Sequence, residues 1–181
     1  MSLRLLAADG TMAAWAPASP PKVFLHVEGE GARARAVAAA ARGALTFLGY
    51  EPAEGEGSPD LTVTLGPSSG DDFAYCEELH YFCLKTHPRK PLNFTREGLA
   101  SARGELLDLK ASARSLSGVS LEPSSRGVTG YLHRFREALS RDLDFPEALS
   151  CVWDGLRPGA LSPGSRAALL RAALPALGLD E

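Results

Sequence analysis

Lys22-Val23-Phe24-Leu25-His26-Val27-Glu28 is followed by Gly29-Glu30-Gly31 and then by an alanine-rich run that ends Leu48-Gly49-Tyr50. The first seven residues are rich in β-branched and aromatic types and predict a strand. The glycine pair breaks it. Val37, Ala41, Ala44, Leu45 and Leu48 then recur at helical spacing, predicting a helix over about 32–48 that Gly49 stops. Downstream, residues 52–59 read as a Gly/Glu/Pro loop and 61–65 alternate like a second strand. Upstream, residues 3–8 read as a short strand, Asp9-Gly10 as a turn, and 12–16 as a returning hairpin partner before the Pro-rich stretch 17–21. A strand, a helix and another strand in this order make a small α/β unit.

Beyond residue 66 the pattern turns helical. Asp71 or Asp72 can cap a helix running to about residue 87, ended by Pro88 and Pro91. Thr95 can cap the next, on which Leu99, Ala102, Leu106, Leu109, Ala113 and Leu116 form a core stripe. Ser124 or Ser125 opens a third, with Val128, Tyr131, Leu132, Phe135 and Leu139 on one face. Asp144 with Glu147 reads as a capping box for a fourth. A last helix covers about 163–174, closed by Pro175. Amphipathic helices with short connections imply an antiparallel bundle. The expected class is α+β: a truncated α/β unit over residues 1–70 packed on a helical bundle over residues 71–181.

The net charge of −3 does not describe a dedicated nucleic-acid binder, but it is unevenly spread. Residues 1–83 balance at −6, residues 84–116 at +4 and residues 117–181 at −1, so an anionic partner would meet the middle of the chain. Three cysteines, Cys76, Cys83 and Cys151, suggest reduced thiols in the cytoplasm and no disulfide framework. No signal peptide is read at the N-terminus, and no apolar run approaches the ~18 residues of a membrane span.

Four stretches, in order, resemble the cysteinyl-tRNA synthetase family. Leu3 to Pro20 with Lys22–Val27 is similar to its opening segment and first strand. Leu48-Gly49-Tyr50-Glu51 is similar to the end of the helix that follows. His87-Pro88-Arg89-Lys90-Pro91-Leu92-Asn93-Phe94-Thr95 resembles the family's His-Tyr-Arg-Ser-Pro-Leu-Asn-Phe-Ser, and Phe135 to Ala148 resembles the stretch around its Asp-Asp-Phe-Asn-Thr-Pro. The last two are the specific ones. The resemblance implies that the α/β unit is a remnant of a Rossmann-like nucleotide-binding domain and the bundle is the family's helical domain.

The departures bear on activity. Glu28 stands where the family has a zinc-ligating Cys, and the partner ligands fall in a segment this chain lacks. Gly29-Glu30-Gly31-Ala32-Arg33 replaces the His-Ile-Gly-His motif that supports ATP phosphates. Thr64-Leu65-Gly66 looks like the tail of Lys-Met-Ser-Lys-Ser-Leu-Gly, but Asp60, Leu61, Thr62 and Val63 precede it, without either lysine. Adenylate formation develops negative charge on phosphates, and Glu28, Glu30 and Asp60 would repel it. No counterpart of the anticodon-reading tail follows the bundle. The expectation is a non-catalytic binding or regulatory module with no catalytic, cofactor-binding or metal residues. Its implied partners are tRNA or another RNA, a partner protein, or a second copy of the chain, with no membrane. A protein-interaction subunit without RNA and a cysteine- or nucleotide-binding ligase are the alternatives.

Three other patterns have two readings each. Gly29-x-Gly31-x-x-Ala34 matches a dinucleotide fingerprint, with Glu54 as its ribose acid, but also describes a tight strand-to-helix turn. Cys76, His80, Cys83 and His87 share a helical stripe, yet span about 16 Å, too long for one tetrahedral metal site. Lys85, Arg89 and Lys90, followed by Arg96, Arg103, Lys110 and Arg114 on one helix face, are the RNA-contact candidates. The same pattern describes a solvated charged face.

Overall fold

The computed structural model describes residues 3–6, 11–15, 21–53, 59–70, 72–122 and 126–179. The protein is α+β, with six helices and seven short strands in three small sheets among these residues. Strand β1 (Arg4–Leu6) pairs antiparallel with β2 (Met12–Ala14), as the expected hairpin, with Arg4 opposite Ala14. Its Asp9-Gly10 turn lies outside the described residues.

Strand β3 (Lys22–Glu28) is the centre of a parallel sheet in the order β4-β3-β5, with β4 at Glu51–Ala53 and β5 at Leu61–Thr64. Lys22 faces Glu51 and Leu25 faces Leu61 across the ladders. Parallel neighbours need a crossover, and helix α1 (Gly31–Leu48) supplies the one between β3 and β4. Val23, Leu61 and Val63 face the core while Phe24, His26 and Glu28 face outward. Ala36, Ala40, Ala41 and Ala44 of α1 are fully buried, and their missing side-chain bulk lets neighbouring elements approach α1 closely.

Helix α2 (Glu77–Leu84) is shorter than the helix expected over 71–87. Residues 68–70 form strand β6 (Ser68–Gly70), which pairs parallel with β7 (Leu92–Phe94). That pairing holds the chain extended ahead of α2, which begins where Glu77 and Glu78 favour a helix N-terminus. The expectation that everything after residue 66 is helical is thereby corrected. Gly66 makes the pairing possible: a Cβ there would sit 2.3 Å from the Lys90 carbonyl oxygen. The expected boundary at residue 70 falls at the end of β6, whose partner β7 lies on the other side of it.

Helix α3 (Arg96–Ser115) is capped by Thr95, whose hydroxyl accepts from the Gly98 N–H at 3.0 Å. Ala102, Leu106 and Leu109 of its expected stripe are buried. Helix α4 (Arg126–Ser140) buries Val128, Phe135 and Leu139. Its expected caps, Ser124 and Ser125, lie outside the described residues. Helix α5 (Phe145–Leu156) is capped by Asp144, which accepts from the Glu147 N–H at 3.2 Å. Only that half of the expected capping box is seen, because the Glu147 carboxylate sits 3.8 Å from Arg134 instead. Helix α6 (Pro163–Ala176) includes Pro175 in its last turn, one residue short of its end. The core gathers Leu45, Tyr81, Leu84, Phe135, Leu139 and Phe145 from four helices. No helix of the described residues is long and apolar enough to cross a membrane.

Candidate nucleic-acid interface and the turn after the central strand

The turn from β3 into α1 is built by two glycines with positive φ, Gly29 at 123° and Gly31 at 83°. A side chain at either would be strained whatever the space around it. Between them Glu30 is the N-cap of α1, in extended conformation, and its carboxylate caps no backbone N–H. A helix N-terminus ordinarily welcomes an anion. Here Glu30 sits at that N-terminus and lines the open grooves on both sides of it, of about 800 Å³ and about 240 Å³. Glu54, the fingerprint's expected acid, lies outside the described residues.

Arg33, in the first turn of α1, is 5% exposed. Its guanidinium donates to the carbonyls of Gly66 at 2.7 Å, Pro67 at 3.2 Å, Pro88 at 2.9 Å and Lys90 at 2.8 Å, and to the Ser68 hydroxyl at 3.1 Å. Burial lowers its pKa. The residue binds the loop before β6 and the loop before β7 to the same helix. Sequence reading gave it no role, since a lone arginine in a helix carries no pattern.

Beside this turn, β5 places Leu61 and Val63 in the core. The Asp60 carboxylate accepts the Phe24 N–H at 3.0 Å, and its carbonyl accepts the Trp15 indole N–H at 3.0 Å. These contacts tie the start of β5 to β3 and to Trp15.

The seven cationic candidates separate into two groups. Lys85 is 2.6 Å from Glu105, Lys110 is 2.6 Å from Glu77, and Arg103 is 3.8 Å from Glu78. The two short pairs lace α2 to α3, while Arg103, with its side chain 69% exposed, makes only the long contact. Arg89 turns to Asp142, with Nε 2.8 Å from Oδ2 and Nη2 3.1 Å from Oδ1, a bidentate pair in which the carboxylate is 8% exposed. His87 Nε2 lies 3.6 Å from the same Oδ2. Lys90, Arg96 and Arg114 are exposed. Arg96, Arg103, Lys110 and Arg114 lie within about 40° of one line along α3, and Arg96 to Arg114 spans about 27 Å at the α-helical rise.

The Arg89–Asp142 pair joins the two most distinctive sequence stretches, 53 residues apart. Asp142 and Leu143 both adopt left-handed φ, at 53° and 54°. The Asp142 N–H donates to the Arg4 carbonyl at 2.7 Å, so the hairpin is fixed at the same point.

The residues of the expected Cys/His stripe are engaged elsewhere. His80 is 1% exposed, with Nε2 2.8 Å from the Leu177 carbonyl oxygen and Nδ1 3.1 Å from the Tyr75 hydroxyl, and burial lowers its pKa. Burial pushes the Cys83 thiol up to about 12. His87 accepts the Arg89 N–H at 3.3 Å. Among the described residues no group of three His, Cys, Asp or Glu side chains is placed to hold a metal.

No family model matches the chain. Curated proteins do. The cysteine–tRNA ligase of Thioalkalivibrio sulfidiphilus is 36% identical over 78 residues, 43% of this chain and 16% of that protein. The cysteine–tRNA ligase of Parvibaculum lavamentivorans is 34% identical over 102 residues, 55% of this chain and 21% of that protein. The chain is a partial relative of the cysteine–tRNA ligases. An archaeal cysteine–tRNA ligase, from Archaeoglobus fulgidus, matches at 34% over 85 residues, so the likeness to cysteine–tRNA ligases is not confined to bacteria. In each match the chain spans about a fifth or less of the cysteine–tRNA ligase.

Proposed function

We propose that this chain is a non-catalytic derivative of a cysteine–tRNA ligase that binds tRNA or another RNA along the cationic line of α3. In this reading β3, α1, β4 and β5 are the remnant of a Rossmann-like nucleotide-binding unit. The helices after residue 70 are an antiparallel bundle that presents α3. The relatives' activity as cysteine–tRNA ligases supplies the substrate class. The observation that carries the non-catalytic half is Glu30 at the head of α1, where phosphates would have to sit. Carboxylates at that place oppose the charge that develops during adenylate formation. Cysteine-dependent exchange of pyrophosphate into ATP tests it: no exchange above background is expected, with or without tRNA. Exchange would overturn it in favour of a cysteine- or nucleotide-binding ligase.

Arg96, Arg103, Arg114 and Lys90 would meet phosphates. Lys85, Lys110 and Arg89 chiefly hold the scaffold through Glu105, Glu77 and Asp142. About four phosphate contacts make affinity fall roughly 100-fold between 50 and 200 mM salt. Filter retention of labelled tRNA across that range tests the interface, and Arg96→Glu with Arg114→Glu should abolish retention. Retention that ignores both salt and the double substitution would refute it.

One observation favours a second reading, a protein-interaction or regulatory subunit that binds no RNA. The β4-β3-β5 sheet is parallel, and such sheets are ordinarily covered on both faces. Here the outward face bears exposed Phe24, His26 and Glu28. A stable dimer on sizing with no tRNA retained at 50 mM salt would decide for that reading.

A further inference from the structure

A groove of about 430 Å³ lies between the C-terminal end of α3, the connection after it and α6. Its floor is aliphatic, formed by Ala113, Leu116, Val119, Leu170, Leu174 and Leu179. Leu121, 38% exposed, stands at the same groove. Among the described residues, the charged side chains that line it are all cations. Lys110 is occupied by Glu77. Arg114 and Arg171 are exposed, and neither forms an ion pair with a described residue. Among the described residues no carboxylate lines the groove. Lys85, Arg89, Arg134, Arg141 and Arg157 by contrast each have an acidic neighbour.

We propose that this groove binds an amphiphilic anion, with an alkyl or acyl chain on the leucine floor and a carboxylate head on Arg114 and Arg171. The volume falls within the range of small-ligand sites, whose walls are mostly apolar with a few convergent polar groups. An alkyl chain gains from leaving water for the aliphatic floor, and guanidinium forks match a carboxylate head. The lining decides against an extruded RNA base. Among the described residues that line it no aromatic ring is present to stack on a base, and Ser117 is the one neutral polar side chain available to read its edge. The charge decides against a cationic amphiphile. The groove shares Arg114 with the RNA reading, but Arg171 lies on α6, outside the α3 line, so the two can be tested apart.

Calorimetric titration with dodecanoate below its micelle concentration tests it, with dodecyltrimethylammonium as the opposite-charge control. Saturable one-to-one binding of dodecanoate and none of the cation is expected. Arg171→Glu should weaken dodecanoate binding about tenfold or more while leaving tRNA retention unchanged, which separates the two interfaces. Leu121→Asp, at the groove's 38% exposed leucine, should weaken it similarly by placing a carboxylate there, with far-ultraviolet circular dichroism confirming that the variant folds. The proposal fails if dodecanoate does not saturate, if the cation binds equally, or if both variants bind like the unmodified chain. Two further outcomes would overturn it in favour of another occupant. One is binding only to phosphatidylglycerol vesicles, and the other is binding of a Leu/Glu amphipathic helical peptide that dodecanoate does not displace.

Discussion

Replacing Arg33 by methionine keeps an unbranched stem of similar reach and removes every donor of the guanidinium. Five hydrogen bonds disappear together. They do not count equally. The Pro67 and Pro88 carbonyls keep other donors, the N–H groups of Leu92 and Gly66, both at 2.9 Å. The Ser68 hydroxyl can turn to solvent, since Ser68 is exposed. The Gly66 and Lys90 carbonyls lose the two shortest bonds, at 2.7 and 2.8 Å. Both sites are partly buried, so losing the donor costs toward the lower half of the about 1–3 kcal/mol of a fully buried carbonyl. Two at about 1.5 kcal/mol each give a loss of about 3 kcal/mol, partly offset because the guanidinium no longer has to be desolvated. For a chain of this size that lowers Tm by about 6–12 °C. Arg33→Lys keeps the charge but not the planar fork, and should lose about half as much. Urea unfolding followed by far-ultraviolet circular dichroism measures both. A loss under about 0.5 kcal/mol for Arg33→Met, at unchanged m-value, would refute the idea that this residue holds the loops to α1.

Other expectations concern single contacts. Gly66→Ala places a Cβ against the Lys90 carbonyl and should cost about 3 kcal/mol or more, or prevent soluble expression, as a denaturation midpoint will show. A double-mutant cycle on Arg89→Ala and Asp142→Ala should return a coupling energy of about 2 kcal/mol, since the pair is bidentate and its carboxylate is buried. A value near zero would make it an ordinary surface pair. His80 stays neutral in the folded chain below the pH at which an unfolded histidine takes up its proton, near pH 6.5. Acid therefore favours the unfolded state, and stability should fall below about pH 6.5 by up to about 1.4 kcal/mol per unit. His80→Asn should remove that slope relative to the unmodified chain. Cys83, with its thiol pushed up to about 12, should resist iodoacetamide at pH 8 while folded and react after urea unfolding. Because an unfolded thiol ionises near 8.5 and the folded one does not, this group should also lower stability as pH rises beyond that value.

The sequence showed the elements that carry their own punctuation. Thr95 and Asp144 announced α3 and α5 because a cap is a local contract between a side chain and an N–H three residues on. β3 and α1 were visible from the change of period at Gly29-Glu30-Gly31. Strands β4, β6 and β7 were not visible, because each has three residues and exists only through a distant partner, such as Ser68 with Leu92. The cationic residues were found by composition, but their partners were not. Nothing local in Lys110 points to Glu77, or in Arg89 to Asp142, since those pairs form across helices and loops. The groove beside α6 was invisible for the same reason, being made by leucines that each read as ordinary core.

The carbonyl cage around Arg33 also orders events in time. Its acceptors lie 33 to 57 residues further along the chain, so α1 cannot consolidate on local information alone. A ribosome must release at least residue 90 before that helix can lock, and until then its alanine face stays loosely held. Closing so long a loop places this step late in refolding and slows it relative to helix formation itself. Time-resolved hydrogen exchange during refolding should therefore protect α3, whose Thr95 cap is local, ahead of the first turns of α1.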